Sequence, residues 1–167
     1  LALRHMGRKP GDYAALSPNN DVNMSQSTND VYPTALRVAT ILSSYRLMDA
    51  LAQLADAFAA KGLEFNHILK VGRTQLQDAV PMTLGQEFMA FAVMIGEDEQ
   101  RLDEARALLT EVNLGATAVG TGSSAPAGYV ETVVPQLARI SGVPVVSAAH
   151  LVEATQDSGA FAQMAAT

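Results

Sequence analysis

Thr83-Leu-Gly-Gln-Glu-Phe-Met-Ala-Phe-Ala-Val-Met-Ile-Gly-Glu-Asp-Glu-Gln-Arg-Leu-Asp-Glu-Ala-Arg-Ala-Leu-Leu-Thr-Glu-Val112 decides the fold class. Thr83 followed three residues later by Gln86 is a capping box, a helix start. Leu84, Phe88, Phe91, Ile95, Leu102, Ala105, Leu109 and Val112 then recur at helical spacing and predict a long helix with one apolar face. Glu97, Asp98, Arg101, Asp103, Glu104 and Arg106 make the opposite, solvated face. Glu97 and Arg101 form an i,i+4 pair in the favourable orientation. Upstream, Asp30 is an N-cap for a first long helix over 30–64, with Pro33 in its opening turn. Leu47, Leu51, Leu54 and Phe58 give that helix its stripe, and it ends near Gly62 or a few residues later.

The rest of the chain fits a helical protein. Of 167 residues, 49% are hydrophobic and 17% charged, which excludes a disordered segment. Residues 1–30 and 66–82 read as polar connections, and 113–128 as a Gly/Ser/Thr-rich loop anchored by Leu114 and Val119. A shorter helix is predicted from about Ala127 to Ser141, kinked or broken at Pro135 and stopped by Gly142 and Pro144. Residues 143–149 read as extended, and a last helix starts near His150. Little of the sequence alternates with period two, so no large sheet is expected. The prediction is all-α, a bundle of long helices.

Composition excludes other classes. A net charge of −6 argues against a nucleic-acid partner. With no Cys and three scattered His, neither a disulfide framework nor a metal site is predicted. No membrane span or secretion signal is visible. The start on Leu1 and the uninterrupted helical pattern of 160–167 read as a piece of a longer soluble, cytoplasmic protein.

Chemistry is expected in three polar stretches. Asn23-Met-Ser-Gln-Ser-Thr-Asn-Asp30 places hydroxyls and amides at the positive end of a helix. That suits a carboxylate or phosphate, and equally an elaborate cap. Gly72-Arg-Thr-Gln-Leu-Gln-Asp-Ala-Val-Pro81 is either a ligand loop or a surface loop braced by Arg73 and Asp78. The glycines of 115–122 permit close backbone approach but lack a P-loop ending. No nucleophile–base pair is visible.

These stretches also carry a resemblance. Val22-Asn-Met-Ser-Gln-Ser-Thr-Asn-Asp-Val-Tyr-Pro-Thr-Ala35 resembles the first signature of the aspartase/fumarase superfamily. Val71-Gly-Arg-Thr-Gln-Leu-Gln-Asp-Ala-Val-Pro-Met-Thr-Leu-Gly-Gln-Glu-Phe88 resembles the second. Asn113-Leu-Gly-Ala-Thr-Ala-Val-Gly-Thr-Gly122 looks like the glycine-rich segment that follows. The Ser-Thr-Asn-Asp wording and Gln75 are closer to the aspartate ammonia-lyase branch than to class II fumarases, which stay as the alternative. A non-catalytic helical assembly module is the other reading.

The resemblance implies reversible deamination of L-aspartate to fumarate and ammonia, a carbon–nitrogen lyase reaction without cofactor. It implies that Ser27 and Thr28 hold the carboxylate that gains charge, that Asn29 meets the amino group, that Thr74 binds the other carboxylate, and that Gln75 lies near the departing ammonia. It implies a homotetramer with composite sites. Residues 1–29 would end the N-terminal domain and 30–167 belong to the central helical bundle. The superfamily's third signature, Gly-Ser-Ser-x-Met-Pro-x-Lys-x-Asn-Pro, carries the catalytic Ser base and does not occur here. No catalytic residue is therefore expected within this chain, and residues 1–167 alone are expected to be inactive.

Overall fold

The structure, a computed structural model, describes all residues, Leu1–Thr167. Its elements in order are α1 (Ala2–His5), one π-helical turn (Pro18–Val22), α2 (Thr28–Glu64), β1 (Leu69–Thr74), β2 (Gln77–Thr83), α3 (Leu84–Leu108), β3 (Glu111–Val112), α4 (Tyr129–Ser141), β4 (Val146–Ser147), α5 (Leu151–Gln156) and α6 (Gly159–Ala166). Long helices with two short strand pairs agree with the all-α expectation. No helix is long and apolar enough to cross a membrane. The chain divides into two compact units, residues 1–38 with 110–158 and residues 39–109 with 159–167.

In the second unit, the later part of α2 and α3 meet through an aromatic cluster. Phe58 lies 5.5 Å from Phe91 and 6.0 Å from Phe88, and Phe65 lies 5.2 Å from Phe88. Edge-to-face geometry of this kind adds to the value of the buried area. A glycine pair lets the backbones close up at one end. A Cβ on Gly85 would stand 2.3 Å from the Gly62 carbonyl and 2.5 Å from the Asn66 Cα. The expected capping box is present, with Gln86 N donating to Thr83 Oγ1 (3.0 Å) and Thr83 N to Gln86 Oε1 (2.9 Å).

The charged face of α3 is solvated at Arg101, which bridges Glu97 (2.9 Å) and Asp98 (2.7 Å). These hydrogen bonds to Asp98 and Glu97 raise the Arg101 pKa above its ordinary value. Arg106 departs from the expectation. It pairs with Asp103 and lies against α2, its guanidinium 4.6 Å from the Tyr45 ring centroid and 3.1 Å from Met48 Sδ.

In the first unit, β3 and β4 pair in parallel, Glu111 opposite Val146 and Val112 opposite Ser147. Val112, Leu114, Ala116, Val134, Val143, Val145 and Ala148 form the apolar core. α4 starts within two residues of its predicted start, runs through Pro135 unbroken, and stops on Gly142 at φ 69°. Leu114 anchors the glycine-rich loop, but Val119 is 61% exposed and does not.

Four other expectations need correction. Residues 66–82 fall largely in a β-hairpin: Leu69, Lys70 and Val71 pair with Thr83, Met82 and Pro81, and Arg73 and Thr74 with Asp78 and Gln77, across an irregularity between Val71 and Arg73 and a two-residue turn. α3 ends at Leu108, and its expected last turn is the β3 strand. The last helix is two helices, separated at Asp157–Ser158. In α2, Leu47 and Leu54 are exposed; the deeply buried positions are Asp30, Thr34, Arg37, Ile41 and Ser44. That stripe has helical spacing but is mostly polar. Arg37 shows the cost of this arrangement. Burial lowers its pKa, opposed by the charges of Asp157, Glu111 and Glu153.

Candidate functional site

The first signature is built on the opening turn of α2. The helix begins at Thr28, two residues before the N-cap expected at Asp30, and the Ser27 hydroxyl caps it. Ser27 Oγ accepts from the Asn29 amide (3.2 Å), while the Ser27 amide donates to Asp30 Oδ1 (2.9 Å). The Asp30 carboxylate supplies the returning half of a capping box, while the Ser27 hydroxyl caps the second amide of the helix rather than the third. Asp30 thus stands third in the helix, and Pro33 falls past the first turn, where a missing N–H leaves a carbonyl without its helical donor. The carbonyl concerned is that of Asn29, and Asn113 Nδ2 donates to it at 3.0 Å.

Asp30 does more than close the cap. Its other oxygen, Oδ2, accepts the amides of Gly115 (3.1 Å) and Thr117 (2.9 Å) from the glycine-rich segment. The side chain is fully buried. Three amide donors are what a buried carboxylate needs to offset desolvation. Thr117 adopts φ 60° to present its amide, a left-handed conformation uncommon for Thr. Asn29 Nδ2 donates to the Ala118 carbonyl (2.6 Å), which fixes the amide and leaves Oδ1 as an acceptor for something else. Segment 113–118 is therefore bound to residues 27–30 by side chains on both sides. Gly120 extends the same close packing, since a Cβ there would meet Val152 Cα at 2.3 Å.

Ser27 and Thr28 line a cleft of ≈ 390 Å³ with Asn23, Gln26, Val31, Tyr32 and Ala35. Ser27 accepts through Oγ, so its own O–H remains available as a donor to a ligand. Hydroxyl donors at the positive end of a 37-residue helix favour an anion.

The second predicted pair, Thr74 and Gln75, lies at the tip of the β1–β2 hairpin in the second unit. Thr74 pairs with Gln77, and Gln75 with Leu76 forms the turn. Both turn residues have positive φ, 50° for Gln75 and 65° for Leu76. That geometry usually takes Asn-Gly. Neither residue suits it, and Leu76 is wholly exposed. A strained, solvent-facing tip of this kind contributes nothing to stability. Arg73 and Asp78 are cross-strand partners bonded at 3.3 Å, the brace of the surface-loop alternative. Lys70 anchors the hairpin to α3 through Glu87 at 2.7 Å.

The structure thus brings Ser27, Thr28 and Asn29 together at one helix start, and Thr74 and Gln75 together at one turn. Asn113 and Asp30 were missed as site builders. Only the local half of the signal is in the sequence, a Pro inside the helix that frees a carbonyl and an Asp placed to accept the Ser27 amide; the partners that make Asn113 and Asp30 site builders are more than 80 residues away.

Comparison with known proteins is consistent with this geometry. A family model described as "Lyase" matches residues 4–167. Aspartate ammonia-lyase of Pseudomonas fluorescens is 60% identical over 162 residues, which is 96% of this chain and 34% of that protein. The chain therefore spans about a third of the length of such relatives. A fumarate lyase:delta crystallin from Brucella melitensis, solved bound to cobalt, superposes with a TM-score of 0.94 at 55% identity, covering 99% of this chain and 36% of that one. Class II fumarase from Schistosoma mansoni superposes at 0.80 with 28% identity, over 89% and 34% of the two chains. The signatures, the fold and the family match agree, and the chain belongs to the aspartase/fumarase family of lyases.

Proposed function

We propose that this chain is part of an aspartate ammonia-lyase, which converts L-aspartate reversibly to fumarate and ammonia. The carrying observation is the opening of α2, where Ser27 keeps a hydroxyl donor and Asn29 an amide acceptor for a ligand. A carboxylate and an ammonium on one small molecule use both.

In the reaction, a base removes a proton from the carbon beside the β-carboxylate. The electron pair passes into that carboxylate, forming an aci-dianion. It then returns to form the carbon–carbon double bond as the carbon–nitrogen bond breaks. Ser27 and Thr28 bind the carboxylate that gains charge, and their hydrogen bonds strengthen as it does. Asn29 Oδ1 accepts from the substrate ammonium, Thr74 binds the second carboxylate, and Gln75 lies beside the leaving ammonia. Gln75 is neutral and a poor acid, which suits a group leaving already protonated.

The base belongs to a segment outside this chain, on the superfamily pattern. Residues 1–29 end an N-terminal domain, and 30–167 contribute to the helical core of a cytoplasmic homotetramer. Composite sites then join the first and second signatures across subunits. The test is the full-length protein with L-aspartate, followed by fumarate absorbance. Fumarate production supports the reading. No turnover from a folded, assembled protein overturns it.

A further inference from the structure

A helix cap needs only local bonds, and Asp30 makes more than those. Oδ1 holds the Ser27 amide, while Oδ2 holds two amides from 85 and 87 residues away. Its exposure is 0%, although it stands in the first turn of a helix whose preceding residues, Thr28 and Asn29, are exposed. The surrounding contacts converge on the same three residues. Asn29 is held by its side chain on Ala118 O and by its carbonyl on Asn113 Nδ2. Asn113, 2% exposed, is itself braced by Thr155 Oγ1 at 3.1 Å. Thr117 keeps a strained φ of 60°, and its amide is one that Asp30 accepts.

We infer that Asp30, seconded by Asn113, is a positioning residue for the lyase reaction: it fixes the Ser27 hydroxyl and the Asn29 amide against the glycine-rich segment 113–118. This rests on the function proposed above. Asp30 itself is fully buried. Its carboxylate faces amides only, and the cleft is lined by Ser27 and Thr28. Asp30→Asn keeps the shape but sets an amide N–H₂ against an N–H donor on one side. Ser27 or the 115–117 backbone must then shift.

The experiment is a double-mutant cycle in the full-length protein, with assembly checked by size and circular dichroism. Asp30→Asn is expected to lower kcat on the order of 10²-fold with KM changed by less than about threefold, the pattern of misplaced groups. In a Ser27→Ala background the same change is expected to cost less than about threefold, because the group it positions is gone. In a Thr74→Ala background it keeps its full cost. Equal cost in all backgrounds means a general structural role and overturns the inference. Should Asp30→Asn not assemble, Asn113→Ala carries the same cycle with Asn29→Ala, where non-additivity supports the inference and additivity overturns it. Wild-type protein without aspartate turnover would instead count against the proposed function.

Discussion

At the scale of single residues, the chemistry depends on where hydrogen-bond donors are left unused. Thr28 is exposed at the start of α2 and lines the cleft with Ser27. A bond that strengthens as the carboxylate becomes an aci-dianion contributes to turnover as well as to binding. Thr28→Ala in the full-length enzyme is expected to lower kcat by about 10²–10³-fold, the loss of one preorganised donor. Steady-state kinetics check this, and unchanged values would reduce Thr28 to a helix-start residue. Asn113 makes a stability prediction. Replacing it by Ala leaves the Asn29 carbonyl, already freed by Pro33, without a donor. The expected loss is about 1–3 kcal/mol, read as a lowered denaturation midpoint.

The contrast between these residues shows what was legible. Ser27, Thr28 and Asn29 belong to a run of hydroxyls and amides at a helix start that reads equally as an anion site or a cap, and only the resemblance singles them out. Asp30 is not singled out, because a carboxylate near a helix start normally reads as an exposed cap. Its bonds to Gly115 and Thr117 are long-range, and no local pattern encodes them.

At the scale of elements, the helices were readable and the hairpin was not. α3 announces itself through a capping box and a long apolar repeat, and its observed start at Leu84 follows directly. β1 and β2 carry Pro81, Gly72 and a turn without glycine, so they lack the usual hairpin marks. α2 hides its buried side for another reason: Asp30, Thr34, Arg37 and Ser44 are polar, and hydrophobic periodicity cannot find them. The strained turn gives a test. Leu76→Gly is expected to stabilise the protein by about 1 kcal/mol, since left-handed backbone costs a non-glycine residue about that much. Thermal unfolding measures it, and no gain would show that the turn is unstrained. Gly85→Ala is expected to act in the opposite direction. Its methyl would meet backbone on both Gly62 and Asn66, and the loss is expected to exceed about 1–3 kcal/mol, the usual cost of overpacking. A Gly62→Ala change, whose nearest contacts are 3.2 Å, is expected to cost less.

At the scale of the molecule, much apolar surface is left on the long helices. Leu36, Leu42, Tyr45, Leu47 and Leu54 of α2 are each more than 40% exposed, as are Val93 and Met94 of α3. Surfaces of that kind are interaction surfaces. Residues 1–167 produced alone are therefore expected to self-associate, seen by light scattering, and to give no fumarate from L-aspartate. Turnover by this piece would place the base within these residues and contradict the proposed division of the site.

The central claim concerns which small molecule the full-length enzyme handles, since ammonia-lyases and hydratases share this fold and most of its signatures. Gln75 and the Ser-Thr-Asn-Asp opening favour ammonia as the leaving group. The most direct measurement supplies the full-length protein with fumarate, with and without ammonium, and identifies the product. L-aspartate with ammonium, and no malate without it, is the result expected here. Malate formed from fumarate and water alone would contradict the account and place the protein with the fumarases.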